Sequence, residues 1–353
     1  MNQNLINQFS TLASIESSSE KPNLFRIRAY KKIVKILKEL KFEVTDSDQV
    51  KDIPGIGKGT IEKINEILAN GHLKNLEKKP INNKNSLNED TTNKNTKIIQ
   101  KQLEEVTGIG PVKAKKLIKD GYTLEILRNK FQTNFSSLKD ILTHHQILGI
   151  KYYDDLSNRI PYLEITFVDK YLQKIVANLN QTLFGKDIYC HQICGSFRRQ
   201  AKTSGDIDVL FYNKFKDDNK LDSQFFRSVM LKLIEDNFLK DHLTDPNKVS
   251  TKYMGFCKLH RKKFCRRIDM RCINHSSLPA AQLYFTGSGD FNKNMRTFAL
   301  KKGFTLNEYG IFKLTDNKLK GDQVMVSSEN DIFNLLGIDF VEPKNRLSTV
   351  IFK

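Results

Sequence analysis

One turn pattern occurs twice in this chain, about 50 residues apart, and each copy opens a helix. The copies are Ile53-Pro54-Gly55-Ile56-Gly57 and Val106-Thr107-Gly108-Ile109-Gly110-Pro111, each followed by apolar residues at helical spacing. Glycines at this spacing let the backbone turn sharply, and the following helix leaves its first N–H groups unpaired. Such an end attracts anions, so the pair predicts two grips on a phosphate backbone without sequence preference. The alternative interpretation is that each turn only joins two helices.

The charge balance agrees with a polyanionic partner. Among 353 residues there are 58 Lys and Arg against 40 Asp and Glu, a net charge of +18. No apolar run approaches the ~18 residues of a membrane span. The opening Met1-Asn2-Gln3-Asn4 has no signal-peptide character, so secretion is not expected. Five cysteines without a CxxC pair favour reduced thiols in an intracellular protein, and not zinc or a disulfide framework.

Composition divides the chain into a helical front half and an α+β back half. Residues 81–96 contain six Asn and no apolar periodicity, which predicts a flexible linker. Short runs rich in β-branched and aromatic residues at 188–194, 207–212 and 266–273 predict strands, with helical patterns at 166–184 and 223–239 between them. The predicted parts are a helical domain at 1–80, the linker at 81–96, a helical subdomain at 97–154, an α+β domain at 155–275 and a small α+β subdomain at 276–353.

Three acidic residues stand out in the back half. Asp206 and Asp208 flank Ile207 in a strand pattern, so their side chains point to one face. Asp269 lies in another strand pattern and joins them if the two strands pair. Clustered carboxylates repel one another unless cations neutralise them, and hard oxygen ligands favour Mg²⁺. Two metals about 3.5–4 Å apart can clamp the attacking and leaving oxygens of a phosphoryl transfer. An Asp-x-Asp pattern alone is more typical of a solvated strand face.

A Gly-Ser pair precedes these acids by eleven residues. Gly195-Ser196 is predicted to end one strand and open a helix, where the amides and the Ser196 hydroxyl can hold a triphosphate. Arg199 is the charge-assisted partner for the same phosphates. With Asp206, Asp208 and Asp269 added, the metal-site interpretation becomes the favoured one.

These residues carry a family resemblance. Gly195-Ser196 followed by Asp206-Ile207-Asp208 is similar to the nucleotidyltransferase signature, and the chain from about 15 to 350 resembles the DNA polymerase beta group, family X of the DNA polymerases. The most distinctive strings are Leu283-Tyr284-Phe285-Thr286-Gly287-Ser288, Phe291-Asn292-Lys293-Asn294-Met295-Arg296 and Lys302-Gly303-Phe304-Thr305-Leu306-Asn307-Glu308-Tyr309. The resemblance implies an α+β fold: a helical N-terminal domain with two helix-hairpin-helix motifs, a nucleotidyltransferase palm with a mixed sheet, and a small α+β C-terminal subdomain.

The resemblance also implies roles at the metal and nucleotide sites. Asp206 and Asp208 would bind both of two Mg²⁺ ions, with Mn²⁺ able to substitute, and Asp269 would bind the catalytic one and assist loss of the primer hydroxyl proton. The residues implied to contact the incoming deoxynucleoside triphosphate are Ser196, Arg199, Ser204, Gly205, Tyr284, Phe285, Gly287 and Asn292. For Tyr284 and Phe285 the alternative is a pair of core aromatics on a strand.

Contacts with gapped or nicked double-stranded DNA are implied in the same way. Lys293 and Arg296 would contact the template, and Gly55, Gly57, Gly108 and Gly110 would grip backbone phosphates. Each helix-hairpin-helix turn implies a Na⁺ or K⁺ ion held by backbone carbonyls, at Lys51, Ile53 and Ile56 in the first and at Glu104, Val106 and Ile109 in the second.

The front domain resembles a 5′-deoxyribose-phosphate lyase of base excision repair. Its Schiff-base lysine corresponds to Lys63, and Arg26, Tyr30 and Lys32 correspond to residues that hold the 5′-phosphate. A plain exposed helical lysine is the alternative for Lys63. The chain departs from the family at Gly59 and Asn75, where lysines are usual and where Lys58 and Lys74 are neighbours. It also departs at Gly289, which replaces an acidic residue.

The function predicted from these features is template-directed filling of short gaps by a monomer that needs no membrane. Two alternatives stay open: a template-independent nucleotidyltransferase, and a DNA-binding repair scaffold with weak catalysis. Template-independent relatives tend to carry an added loop before the strand that contains the third aspartate, here Asp269. Residues 245–265 are short for such a loop. His144-His145 is interpreted as packing or surface, and the compartment, whether nucleus, virion or another that contains DNA, is left open.

Overall fold

The computed structural model describes residues 2–17, 23–73, 89–317, 319–350 and 352, with the backbone alone at 24 and 89–94. Two compact units are present. One comprises Met1–Asn93, Gly289–Phe298 and Arg346–Lys353, and the other Lys94–Ser288 and Ala299–Asn345. The helix Gly289–Lys301 therefore contributes residues to both. Within the described residues, no helix is long and apolar enough to cross a bilayer.

Three helices supply most of the core of the first unit. They are α1 (Gln3–Ser17), α2 (Leu24–Glu39) and α3 (Lys58–Asn70), with a short 3₁₀ turn at Ser47–Gln49. Helix α2 begins where the Asn23 side chain accepts bonds from the Phe25 and Arg26 amides, as an N-cap does. Apolar residues at helical spacing, among them Phe9, Ile33 and Ile64, are fully buried and form one core.

A series of helices opens the second unit, and the first of them begins five residues before it, at Glu89. They are α4 (Glu89–Glu104), α5 (Pro111–Lys119), α6 (Leu124–Thr133), α7 (Phe135–Lys139), α8 (His144–Lys151) and α9 (Tyr153–Ser157). Leu103, Val106, Leu117 and Leu127 lie at the centre of their shared core.

The predicted linker over 81–96 is wrong in its second half. Residues 81–88 lie outside the described residues, but 89–96 form the first two turns of α4. Those turns carry no apolar pattern of their own. They continue a helix whose later part is anchored by the buried Leu103 and the packed Ile99, because adding a turn to an existing helix avoids the cost of nucleation.

A five-stranded mixed sheet forms the centre of the second unit. Its strands are β2 (Tyr189–Ile193), β4 (Ile207–Asn213), β5 (Leu239–His242), β6 (Lys252–Cys257) and β7 (Arg266–Ile273), in the order β2-β4-β7-β6-β5. Strands β4 and β7 are parallel, and the other neighbours are antiparallel. A separate two-stranded sheet is formed by β1 (Ile160–Pro161) and β3 (Thr203–Ser204), which pair antiparallel. The predicted strands at 188–194, 207–212 and 266–273 are confirmed.

Two long helices cover one face of this sheet and bury it. They are α10 (Tyr162–Phe184) and α12 (Asn219–Glu235), and the four-residue α11 (Gly195–Arg198) follows β2. Their apolar faces meet alternate residues of β4 and β7, so Ile207, Val209, Ile268 and Met270 are buried. The opposite side of those two strands is left for the acidic residues.

The remaining elements are α13 (Leu278–Thr286), α14 (Gly289–Lys301), a three-stranded antiparallel sheet and α15 (Glu329–Leu336). The sheet contains β8 (Phe304–Asn307), β9 (Gly310–Leu314) and β10 (Lys320–Val324). The strand interpretation of Tyr284 and Phe285 is wrong, because both lie on helix α13. Pro279 near the start and Gly287 at the end are typical boundaries of a helix. These two residues indicate the helix, whereas the aromatic residues between them indicate a strand.

Candidate active site

Two of the three acidic residues lie opposite each other on neighbouring parallel strands. Asp208 of β4 is the register partner of Asp269 of β7, and Asp206 stands two residues before Asp208. Because Ile207, Val209, Ile268 and Met270 are buried on the other face, the acidic side chains lie together on the open face. The predicted pairing of these strands is confirmed.

The Gly-Ser turn comes within contact distance of the same carboxylates. Strand β2 pairs with β4, and the Cys194 amide donates to the Asp208 carbonyl at 2.8 Å. Gly195 then takes a φ of +58°, and a Cβ placed on it would lie 2.6 Å from Asp208 Oδ2. Only glycine lets the backbone turn here while the carboxylate stays in place.

The pKa values of Asp206 and Asp208 are both raised. Burial, followed by the charges of Asp206 and Asp269, raises the pKa of Asp208 to about 7. Asp206 is open to solvent on one side, yet the surrounding protein atoms and the Asp269 charge raise its pKa as well. Nearby arginines, Arg267 first, oppose both shifts. The site therefore carries more negative charge than its own cations neutralise.

Asp269 is engaged by its neighbour on the same strand face. Arg267 forks onto it, with Nε 2.8 Å from Oδ1 and Nη2 3.2 Å from Oδ2. In the described part of the chain, no three His, Cys, Asp or Glu side chains converge into a group that could hold a metal ion. The donor set still fits a hard divalent cation, since it offers only carboxylate oxygens, and the pKa values of Asp206 and Asp208 are raised.

Arginines fix the short helix that follows the Gly-Ser turn. Arg198 forks onto Glu329 at 2.6 and 3.0 Å and donates to Thr286 Oγ1 at 2.6 Å, while Arg199 donates to the Thr286 carbonyl. Arg198 and Glu329 are largely buried, so this is a strong charge-assisted pair. Ser196 and Arg199 are half-buried beside it.

Arg159 reaches the segment between the turn and Asp206. Arg159 donates to the Thr203 hydroxyl at 2.8 Å and to the Thr203 carbonyl at 2.9 Å. Its Nη1 lies 3.8 Å from the position of a Cβ on Gly205. Ser204 is buried, and its hydroxyl has no hydrogen-bond partner within the described structure.

The predicted sugar-pocket residues lie at the end of α13. The rings of Tyr284 and Phe285 meet edge to face at 5.1 Å, and Arg271 of β7 lies 5.4 Å above the Phe285 ring. Gly287 ends the helix with a φ of +67° and precedes a cis peptide bond to Ser288.

The remaining predicted template and base contacts lie on α14 in the first unit. Asn292 is half-buried there, and Lys293 and Arg296 are exposed. One turn earlier, Asp290 accepts a bond from Lys35 of α2 at 2.7 Å. Burial and the nearby Lys293 and Lys35 lower the pKa of Lys32, although Asp290 opposes this.

The two glycine turns have nearly the same backbone. Gly55 and Gly108 take φ values of +107° and +88°, and Gly57 and Gly110 cap the next helices with φ and ψ of −95° and 175°, and −91° and 176°. A Cβ on Gly57 or Gly110 would meet nothing within 4 Å, whereas one on Gly55 would meet the Lys32 side chain. The outer side of each turn is open.

The predicted carbonyl sets lie at these turns. The Ile53 carbonyl accepts the Ile56 amide at 3.0 Å, and the Val106 carbonyl accepts the Ile109 amide at the same distance. The backbones of Lys51 and Glu104 precede them, and the Glu104 carboxylate accepts a bond from Gln100.

Lys63 lies on α3, one turn after the first glycine turn. It is partly exposed, and its Nζ donates to the Gly59 carbonyl at 3.2 Å. Arg26 and Tyr30 lie on α2, the former in a 3.9 Å ion pair with Glu16 and the latter against the Phe9 ring. Lys74 and Asn75 lie outside the described residues.

Comparison with known proteins covers most of the chain. Family models match as a helix-hairpin-helix domain (1–73), the fingers domain of DNA polymerase lambda (101–157), the DNA polymerase beta palm (159–275) and the DNA polymerase beta thumb (281–347). The chain is 30% identical to a DNA polymerase lambda of Arabidopsis thaliana over 98% of its own length and 62% of the relative's. It is 29% identical to one of Rattus norvegicus over 91% and 52%.

The chain belongs to family X of the DNA polymerases. A DNA nucleotidylexotransferase of Xenopus laevis is also similar, at 26% identity over 92% of this chain and 64% of the relative. The chain thus spans between about half and two thirds of the length of these curated relatives. Family X polymerases generally use divalent metal ions, and the predicted α+β fold of the family is confirmed.

In this family X chain, the sequence patterns do not indicate roles for Arg159, Arg198, Arg267, Thr286 or Glu329. Arg267 reaches the site through Asp269 on its own strand, and the other four through contacts between residues distant in sequence. The adjacent pair Arg198-Arg199 was the available signal. Both arginines bond to Thr286, Arg198 through the side-chain hydroxyl and Arg199 through the main-chain carbonyl, and Arg198 also forms an ion pair with Glu329.

Proposed function

We propose that the chain is a template-directed DNA polymerase that fills short gaps during base excision repair. The observation that carries this proposal is the parallel register that sets Asp208 opposite Asp269, with Gly195 in contact with Asp208. This arrangement supports a cation-dependent nucleotidyl transfer next to a phosphate-binding turn.

The three carboxylates would hold two divalent cations, Mg²⁺ or, in its place, Mn²⁺. Asp206 and Asp208 would contribute to both and Asp269 to the catalytic one. Bound cations would offset the negative charge of the triphosphate and favour the ionised primer 3′-hydroxyl. Asp269 would exchange its Arg267 partner for this role, and Arg267 would then be free to bond a DNA phosphate.

The incoming triphosphate would be held by the segment from Gly195 to Gly205. Ser196 and Arg199 offer a hydroxyl and a guanidinium, and the partnerless Ser204 hydroxyl offers a further donor. Arg198 contributes by fixing the helix to Glu329 and Thr286, while Arg199 would exchange its bond to the Thr286 carbonyl for a bond to the triphosphate.

The sugar and base would be selected by the end of α13 and by α14. Tyr284, Phe285 and Gly287 would line the sugar, where close backbone leaves no room for a 2′-hydroxyl. Asn292 would contact the minor-groove edge of the base, and such contacts test pair shape, since minor-groove acceptors are shared among base pairs. Lys293 and Arg296 would contact the template strand.

We propose a second activity, a 5′-deoxyribose-phosphate lyase, for the helices of the first unit. The Lys63 amine would attack the sugar C1′ aldehyde, lose water to give an imine, and so permit β-elimination of the 3′ phosphate. Arg26, Tyr30 and Lys32 would hold the 5′-phosphate. The role of Lys32 in holding the phosphate is supported by its position, because its side chain lies against the backbone of Gly55 in the first glycine turn.

The two glycine turns would grip the DNA backbone through Gly55, Gly57, Gly108 and Gly110. Their open outer sides support this use, because a phosphate can approach the backbone closely there. We propose that carbonyls of each turn also hold Na⁺ or K⁺, at the positions named above.

The test is addition of one nucleotide to a primer bordering a one-nucleotide gap. We expect incorporation of the templated base with Mg²⁺, enhancement by a 5′-phosphate on the downstream strand, and none after chelation with EDTA. Equal incorporation of all four nucleotides on this substrate would contradict templated synthesis.

A template-independent nucleotidyltransferase is the second candidate, favoured by the similarity to a protein named DNA nucleotidylexotransferase. Against it, only residues 258–265 connect β6 with β7, which leaves little room for an added loop. Extension of a single-stranded primer would distinguish the two. A weakly catalytic scaffold would extend neither substrate.

We further propose a monomer that works in a reducing, DNA-containing compartment and does not bind a membrane. All five cysteines are free, and all but Cys190 are buried. Burial raises the pKa of the Cys194 thiol to about 12, so this thiol stays protonated and resists oxidation.

A further inference from the structure

Helix α8 lies directly against the second glycine turn. The Gln146 side-chain amide donates to the Gly108 carbonyl at 2.9 Å. Gly149 packs so closely that a Cβ on it would lie 2.3 Å from the Thr107 carbonyl oxygen. Any movement of the turn must therefore move this helix as well.

The start of the same helix is bonded to the edge of the five-stranded sheet. His144 Nε2 lies 2.8 Å from the His242 carbonyl, and His145 Nε2 lies 2.8 Å from the Leu243 carbonyl. A carbonyl can only accept, so each imidazole must carry a proton on Nε2. Two successive rings thus donate to two successive carbonyls at the end of β5.

The end of the helix is bonded to the same strand. Lys151 Nζ lies 2.6 Å from Asp241 Oδ2, and the hydroxyl of the following Tyr152 donates to the same oxygen. The Tyr152 ring stacks on Phe256 of β6 at 4.3 Å and 25°. Helix α8 is thereby fixed to β5 and β6 at both of its ends.

The sheet continues this connection to the acidic site. His242 of β5 pairs with Gly255 of β6, and the adjacent Met254 pairs with Asp269 of β7. A continuous series of hydrogen-bonded elements therefore runs from Gly108 through α8, β5 and β6 to Asp269. All of it lies within the second unit.

We propose that His144 and His145 are positioning residues that hold the second glycine turn in register with the acidic strand. DNA gripped at Gly108 and Gly110 is then presented to the carboxylates at one fixed offset. The imidazoles suit this role because each has only two rotatable bonds and donates along a fixed direction. This inference rests on the proposed function, and it gives the His pair a use beyond packing.

The test compares two double variants on gapped DNA. His144→Leu/His145→Leu removes both bonds, whereas His144→Gln/His145→Gln keeps an N–H donor at each position. We expect the Leu pair to raise KM for DNA about tenfold, because the turn and the palm no longer bind as one unit. The kcat and the KM for the nucleotide should stay within about twofold, as expected when uniform binding is lost. The Gln pair should restore most of the DNA affinity.

The salt dependence of DNA binding provides a readout that stability alone does not move. Losing one or two registered phosphate contacts should lower the slope of log K against log salt by about one to two. His275→Leu is the matched control, since it removes another bond from a ring to a main-chain carbonyl, Nδ1 to Asn213 at 3.0 Å. It should leave both KM for DNA and the salt slope unchanged.

An unchanged KM and slope in the Leu pair, or an equal change in His275→Leu, would overturn the inference. So would failure of the Gln pair to restore affinity. If the Leu pair does not fold, the single His144→Leu and His145→Leu variants make the same comparison, each with about a threefold effect expected. If the wild-type protein adds no nucleotide, the proposed function fails, but equilibrium DNA binding and its salt slope still report on the coupling.

Discussion

Asp208 and Asp269 face each other across two parallel strands, at a register fixed by buried neighbours on the opposite face. Removing either carboxylate should leave those strands paired, because the apolar contacts that set the register are untouched. The cations, however, would lose an essential ligand.

Asp206→Ala and Asp269→Ala should each lower nucleotide addition about a thousandfold or more, since cation stabilisation of the transition state is worth several kcal/mol. The measurement is single-turnover extension at a one-nucleotide gap with Mg²⁺. Asp339→Ala, at an exposed position, is the control and should behave as wild type. Substantial activity in either site variant would contradict the two-metal assignment.

Gly195→Ala should lower activity about a hundredfold. The new Cβ meets Asp208 Oδ2 at 2.6 Å, and the positive φ adds about 1 kcal/mol of backbone strain. Gly337→Ala is matched to it, with a φ of +68° and nothing within 4 Å of the added Cβ. Both variants should show the loss of stability that backbone strain causes in urea unfolding, and only Gly195→Ala adds the contact with Asp208. If the Gly337 variant loses as much activity, contact with Asp208 is not the cause.

Lys63→Ala should strongly reduce borohydride trapping on a cleaved abasic site, because its amine would form the reducible imine. Lys58→Ala is the comparison, as a neighbouring exposed lysine on the same helix. Trapping is read as a covalent protein–DNA band on a denaturing gel. Equal trapping by wild type and Lys63→Ala would assign the nucleophile to another residue.

Arg266→Ala should lower the free energy of unfolding by about 3–5 kcal/mol. Arg266 is buried, forks onto Glu164 at 2.7 and 3.0 Å, and donates to the Asn158 carbonyl at 2.6 Å, so its removal leaves Glu164 as an unpaired buried charge. Arg128→Ala, which breaks the exposed pair with Asp154, should cost less than about 1 kcal/mol. Urea unfolding measures both, and equal costs would refute the burial argument.

The stabilising contribution of Asp241 should be lost in acid. Burial alone would raise its pKa, but bonds from Lys151 and Tyr152 outweigh burial and hold the pKa below its ordinary value. A depressed folded-state pKa contributes stability above the unfolded value of about 3.9, and that contribution is lost as pH falls through the folded value. The stability difference between wild type and Asp241→Asn should therefore shrink below about pH 4. A constant difference down to pH 2 would contradict this.

Local patterns predicted the local structure well. The spacing of Gly55, Ile56 and Gly57 predicted the turn and its repeat, and alternation about Ile207 and Ile268 predicted the two acidic strands. The sequence predicted that Asp269 joins the other two acids only if the two strands pair. Whether they pair could not be predicted, since the register of Asp208 with Asp269, 61 positions away, depends on the whole sheet. The ion pair between Asp269 and Arg267 was not predictable from their spacing. Two residues at i and i+2 of a strand lie on the same face, and their side chains can either pair or stay apart.

Composition misled where the surrounding structure decides the outcome. Tyr284 and Phe285 are typical strand residues, yet they lie on a helix bounded by Pro279 and Gly287. Residues 89–96 have no apolar pattern, yet they extend a helix anchored further on. The bonds of His144 and His145 to carbonyls almost 100 residues away left no signal in the sequence.

The two pairs of glycines in the repeated turn are needed for different reasons. Gly55 and Gly108 are needed for folding, because the backbone there has a positive φ that other residues rarely adopt. Gly57 and Gly110 have an ordinary backbone and empty space where a side chain would go. A library selected only for folding should therefore reject most substitutions at the first pair and accept them at the second. A library selected for DNA binding should reject them at both, which separates what the fold demands from what its partner demands.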